Sequence, residues 1–140
     1  MPLPTDEIRP GIVAILDASV LVSDKNIVYS EPDVPFRNGP FVCLEVKDDQ
    51  SLWLQLTKAP DKRGLRLKIT SEWKIDGSKL WQEGDTYIHD ARRTFTGPLE
   101  SFSQAGSKEL PHQPHLRPKI SPEGVDAALS EIRKFGVNTL

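Results

Sequence analysis

The sequence predicts a mainly β fold, a small curved sheet closing into a barrel with a single α-helix at its C-terminal end. Three observations carry this expectation. Twelve prolines and nine glycines punctuate the chain, and between them lie short runs rich in Val, Ile, Leu and aromatic residues rather than long stretches of helical period. The clearest helix, with agreeing start and stop signals, falls at the end, from Ser121 to Gly136. A chain of 140 residues, 37% hydrophobic and 27% charged, suits one domain with one modest core, and a closed barrel leaves such a chain no exposed sheet edge. The reading is a single domain over residues 1–140, with the barrel at about 9–99, an extended connection at 100–120 and the helix at 121–136.

Strands are expected, in order, at Gly11 to Ala18, Phe41 to Val46, Leu52 to Thr57, Arg66 to Thr70 and Thr86 to Thr94. Leu65-Arg66-Leu67-Lys68-Ile69 alternates strictly, as a half-buried strand does, and Leu52-Trp53-Leu54-Gln55-Leu56 nearly so. Ser30 to Pro40, Lys58 to Gly64 and Asp76 to Gly84 are turn-rich and therefore the segments expected to present side chains to water. Glu100 to Pro118 is polar, carries Pro111, Pro114 and Pro118, and reads as an extended connection. In the final helix Ser121 caps, Pro122 takes the first position and Glu123 sits near the positive end. Val125, Ala128, Leu129, Ile132 and Phe135 share one face, Arg133 and Lys134 meet the negative end, and Gly136 stops the helix.

Composition excludes several functions. Eighteen basic against twenty acidic residues give a net charge of -2, so any polyanion site must be local rather than chain-wide. Cys43 is the only cysteine; it reads as a small core residue, and neither an intramolecular disulfide framework nor a cysteine-based zinc site can form. The longest apolar candidate, Gly11 to Val22, is interrupted by Asp17 and Ser19, which rules out a membrane span, and the acidic, proline-containing start is unlike a secretory signal. A cytoplasmic protein is the expectation. His112 and His115 stand among prolines with no zinc-site spacing and read as exposed histidines. There is no P-loop, dinucleotide fingerprint or Gly-x-Ser-x-Gly elbow, and no metal or organic cofactor is expected.

The distribution of charge is more informative than its sum. Residues 1–50 hold nine acids against four bases, whereas Lys58 to Lys74 holds six bases against two acids. A loop with Lys58, Lys62 and Arg63 directly after a core strand suits phosphates, each contact being a local ion pair; the plain alternative is a solvated hairpin tip. Asp85 to Thr94 gathers an imidazole, a carboxylate and two guanidiniums within one strand's length. In period-2 geometry His89, Ala91 and Arg93 share one face, Asp90 and Arg92 the other. Cleaving RNA at its own 2′-hydroxyl needs a base, an acid and a cation at the phosphate, but no metal, and these residue types supply them. The structural alternative is a set of salt bridges at a strand end.

Taken in order, these pieces resemble the MazF/PemK family of toxin ribonucleases. Arg9-Pro10-Gly11-Ile12-Val13 is similar to the family's opening Arg-Gly-Asp-Ile-Val strand, and Pro40-Phe41-Val42-Cys43-Leu44 to its Arg-Pro-Val-Leu-Val strand. Trp53-Leu54-Gln55-Leu56-Thr57 resembles the strand ending in a catalytic Thr or Ser, Asp90-Ala91-Arg92-Arg93-Thr94 the Asp-Gln-x-Arg-Thr strand, and Leu116 to Phe135 the entry into the C-terminal helix. The resemblance implies an SH3-like barrel of the CcdB/MazF/PemK type, a homodimer, that cuts single-stranded RNA without metal and is silenced by a cognate antitoxin. It implies Thr57 on the scissile phosphate and an arginine near the second strand. Gly39 stands where the family has that arginine; Arg37, two positions early, either reaches the same place from a bulged loop or leaves the role vacant. The catalytic set expected is Arg37, Thr57, His89 and Asp90, with Lys58, Lys62, Arg63, Arg66, Arg92 and Arg93 along the RNA. Two further readings stand beside it. One is a catalytically inactive SH3-like module binding protein or nucleic acid, with Trp53, Trp73 and Trp81 as an interaction surface. The other is a gyrase-directed CcdB-like barrel, whose C-terminal tryptophan is absent from Gly136 to Leu140.

Overall fold

A computed structural model describes residues 3–106 and 117–140. It is mainly β: β1 (Val13–Leu16), α1 (Ala18–Ser23), β2 (Val28–Tyr29), β3 (Gly39–Lys47), β4 (Gln50–Thr57), β5 (Lys74–Ile75), α2 (Lys79–Glu83), β6 (Tyr87–Ile88), β7 (Thr94–Pro98), α3 (Leu99–Ala105), β8 (Lys119–Ile120) and α4 (Pro122–Lys134). Six strands form one antiparallel sheet in the order β1-β3-β4-β7-β2, with β6 also on β4. Among the described residues no ladder joins the end strands β1 and β2, so the sheet is seen open where a closed barrel is expected. None of the described helices is long and apolar enough to cross a membrane.

The strands β3 and β4 are central and covered on both faces, which is why Phe41 to Leu44 and Leu52 to Leu54 are buried without interruption. One face, with Val42, Leu44, Leu52 and Leu54, packs against Val125, Ala128, Leu129 and Ile132 of α4. The other carries Phe41, Cys43, Trp53 and Phe95 and meets Leu3, Ile8 and Phe102. Fully burying a side chain such as Ile132 is worth about 1.5–3 kcal/mol, so the apolar stripe of α4 is what anchors it. Its cap is as expected: Ser121 Oγ accepts from Gly124 N at 3.3 Å, Pro122 opens the helix, and Gly136 follows it with φ +74°.

Four expectations need correction. Gly11 to Ala18 is shortened to Val13–Leu16 because Asp17 captures Ser19 N (3.0 Å) and starts α1. Arg66 to Thr70 is not a regular strand. It runs beside Thr86 to Ile88 through Ile69 N to Thr86 O (2.8 Å), Ile88 N to Leu67 O (2.9 Å) and one Lys68–Tyr87 bridge. Thr86 to Thr94 breaks into β6, a turn at Asp90, and β7, so the alternating faces assigned to residues 89–93 do not exist. Glu100 to Pro118 is not extended throughout: Leu99–Ala105 is helical because Phe102 stacks on Trp53, ring centroids 5.2 Å apart, while 107–116 lie outside the described residues.

The Trp73 to Trp81 segment buttresses α4. Lys74 pairs with Ile120 and Ile75 with Lys119, and Ser121 N donates to Trp73 O at 2.7 Å. On the opposite side Gly11, at φ +99°, donates to Cys43 O and accepts from Ile120 N, both at 2.7 Å, so a Cβ there would overlap Ile120 O.

Candidate functional site

Two segments follow the antiparallel pair β4 and β6. The first follows β4: Asp61 caps its loop by accepting from Arg63 N and Leu65 N, Gly64 N donates to Asp61 O (3.1 Å), and Gly64 takes φ +66°. The second follows β6, where His89 N donates to Gln55 O at 2.9 Å. There Asp90 closes a turn, its Oδ1 accepting from Arg92 N (2.9 Å) and its main-chain O from Arg93 N (3.0 Å). Arg66 staples the two together, donating from Nε to His89 O (2.9 Å) and from Nη1 to Ala59 O (2.8 Å). Both acceptors are neutral carbonyls, so these bonds fix the guanidinium without neutralising it.

The arginines of the turn are held by carboxylates. Arg92 forks onto Asp90 with Nε at 3.0 Å from Oδ1 and Nη2 at 2.9 Å from Oδ2. Arg93 Nε lies 3.5 Å from both Glu31 Oε2 and Asp90 Oδ2, close enough to pair electrostatically but not aligned to hydrogen-bond. Ser30 clamps the same turn, donating from Oγ to Arg92 O (2.7 Å) and accepting from Thr94 N (2.8 Å). Beside it the Tyr29 hydroxyl is buried without a hydrogen-bond partner among the described residues, and burial raises its pKa.

Between the two segments lies a cavity of about 390 Å³. Five bases line it (Lys62, Arg63, Arg66, Arg92, Arg93) against three carboxylates (Asp61, Asp90, Glu131), together with His89, so the local excess is positive. Its apolar wall includes Leu65, Ile88 and Phe135. Burial, then the charges of Arg66 and Arg93, lower the pKa of His89 against the opposing pull of Asp90, which favours the uncharged imidazole. Burial alone would raise the Asp90 carboxyl, but hydrogen bonds from Arg92 and the charges of Arg92 and Arg93 outweigh it and hold Asp90 below its ordinary value.

The structure therefore brings seven of the ten expected residues together: Lys62, Arg63, Arg66, His89, Asp90, Arg92 and Arg93. It separates the other three. Thr57 and Lys58 line a different, more apolar cavity of about 500 Å³ with Ile15, Leu80 and Trp81, and Thr57 Oγ1 accepts from Ala59 N at 3.3 Å. Arg37 is exposed in the loop before β3, its carbonyl held by Gln55 Nε2 at 2.8 Å, and lines neither cavity. Trp53 is fully buried, its indole N–H on Ser51 Oγ (2.8 Å), and Trp73 and Trp81 pack against the core, so the three tryptophans do not form a common exposed surface. Phe135, expected on the core face of α4, is 42% exposed and faces the cationic cavity. Ser30 and Glu31 had no local signal, because the residues they hold are more than sixty positions later. Among the described residues no three His, Cys, Asp or Glu side chains gather to hold a metal; His112 and His115 lie outside those residues.

Fold and cavity together define a small β-sheet protein with a localised cationic pocket beside a part-buried histidine. No protein-family model, curated protein or solved structure matches the chain.

Proposed function

We propose that the protein is an endoribonuclease acting on single-stranded RNA without a metal, in the manner of the toxin of a type II toxin–antitoxin pair, with the cavity between the Asp61–Leu67 loop and the His89–Arg93 turn as its active site. One observation carries the reading: the Arg66 guanidinium is fixed by two neutral carbonyls next to a part-buried His89 whose uncharged form is favoured. His89 takes the proton of a ribose 2′-hydroxyl. The 2′-oxygen attacks phosphorus, and the bond to the 5′-oxygen breaks, leaving a 2′,3′-cyclic phosphate while the 5′-oxygen takes a proton from water. Arg66 and Arg63 offset the charge that accumulates on the phosphate oxygens. Asp90 positions Arg92 and Arg93 and remains ionised. The SH3-like barrel, the homodimer, the antitoxin and the cytoplasmic setting are parts of the same proposal, resting on the resemblance in sequence order and on the six-stranded antiparallel sheet with its C-terminal helix.

The test is cleavage of single-stranded RNA by the purified chain in the presence of a chelator. Cleavage is expected, and is lost in H89A and R66A but retained in T57A, whose side chain belongs to the other cavity. Loss in T57A with retention in H89A would move the chemistry to the position the family resemblance implies and overturn this assignment. A second reading, a non-catalytic nucleic-acid-binding module, is favoured by the separation of Arg37 and Thr57 from the cationic cavity. Binding of single-stranded RNA without any cutting would select it.

A further inference from the structure

The cationic cavity is not lined by charge alone. Beside the guanidiniums its lining includes Leu65, 61% exposed, and Phe135, 42% exposed. A part-exposed aromatic ring at a helix end, outside both core clusters, invites a different use. The Arg92 guanidinium lies over this ring, 5.7 Å from its centroid, and is itself held flat by the two-point contact with Asp90. A guanidinium and an aromatic ring thus meet in a cation–π contact lining the same space as Arg63 and Arg66. Plain phosphate has no use for such a surface, whereas a nucleobase stacks on aromatic and guanidinium planes alike. The volume, about 390 Å³, lies within the roughly 300–1,000 Å³ of pockets that enclose a small organic ligand, more than one phosphate needs.

We propose that Phe135 and Arg92 form a base-stacking subsite, so that the cavity takes a nucleotide unit: the base on the Arg92–Phe135 platform and the adjoining phosphate on Arg63 and Arg66. This rests on the RNA-binding reading above and extends it, because it makes a base, and not only backbone charge, part of what the cavity recognises. Stacking on a ring is tolerant of base identity, so the subsite selects unpaired over paired nucleotides rather than one sequence. Lys62 and Arg63, for which the described residues supply no ion-pair partner, remain available for neighbouring phosphates.

The experiment compares two uncleavable probes, a single-stranded oligonucleotide with 2′-methoxy groups and an abasic strand with the same number of phosphates. Wild type is expected to bind the base-bearing strand more tightly. F135A weakens that binding roughly tenfold and leaves the abasic strand within about twofold. F135L, which keeps apolar bulk at the helix end without a π face, behaves like F135A, and F135W restores binding. Equal losses on both probes, or no loss in F135A, would overturn the subsite while leaving the RNA-binding reading intact. Equal affinity of wild type for both probes does the same. Failure of wild type to bind either strand removes both.

Discussion

Replacing Asp90 tests whether one carboxylate organises the cationic turn. Its side chain is 13% exposed and accepts three bonds from Arg92, from the main-chain N–H (2.9 Å), Nε (3.0 Å) and Nη2 (2.9 Å). Alanine removes all three; asparagine can keep the main-chain bond and loses the charge. The main-chain bond is equivalent to a helix N-cap, whose loss costs about 1 kcal/mol. The Arg92 side chain is 57% exposed, so solvent screening limits the ion pair to about 0.5–1 kcal/mol. D90A is therefore expected to lose about 1.5–2 kcal/mol and D90N about 0.5–1 kcal/mol, lowering the melting temperature by roughly 5–8 °C and 2–4 °C in a domain of this size. The pH dependence has a definite sign. Burial pushes the carboxyl up, but Arg92 and Arg93 bring it below its ordinary value of 3.8. A depressed folded pKa gives stability that is fully present above the unfolded value and fades as pH falls through the folded one. Thermal melts followed by circular dichroism from about pH 7 downward should therefore show the gap between wild type and D90N narrowing only below about pH 4. A D90A protein that melts with wild type, or a D90N gap that stays constant over that range, refutes the reasoning.

Proton NMR of the imidazole should place the His89 titration midpoint below 6.5, because burial, Arg66 and Arg93 all disfavour the charged ring, and R66A should raise it; a midpoint above 6.5 in wild type removes His89 as the base. The proposed cleavage rate should rise with pH through that same midpoint and then level off. For RNA binding, R66A should reduce the slope of log affinity against log salt by about one, the signature of one lost phosphate contact, whereas an unchanged slope places Arg66 outside the contact. G11A, which forces a Cβ onto Ile120 O at φ +99°, should cost about 3 kcal/mol or more in urea denaturation, and a near-neutral result would contradict the described junction of β1, β3 and β8.

Much of this architecture was legible because its signals are local. Ser121, Pro122 and Gly136 mark the limits of α4, and the apolar runs at Phe41 and Leu52 mark the two central strands. The cationic segment between Lys58 and Lys74 was legible as charge, and three of its six bases, Lys62, Arg63 and Arg66, line the cavity. Failures arise where a side chain overrides the period. Leu65 to Ile69 alternates well enough for a strand, yet Arg66 reaches to two carbonyls and Leu65 turns outward. Residues 89–93 carry strand-like spacing, but the Asp90 carboxylate takes the Arg92 N–H and ends the ladder. α3 has only seven residues, too few to show a period, and forms because Phe102 reaches Trp53. Thr57 and Arg37 followed from family resemblance, and neither lines the pocket where charge and imidazole converge.

The Ser30 hydroxyl joins positions 62 and 64 residues further along the chain. The pairing of β2 with β7 adds this clamp to a turn that Asp90 already closes, and a contact of such sequence separation is slow to form. The cationic pocket is consequently a product of the completed fold and not of either segment alone. A nascent chain that has emerged only through β4 contains neither of the segments that line the pocket. Whatever the pocket binds first meets it after the chain's early and late portions have come together.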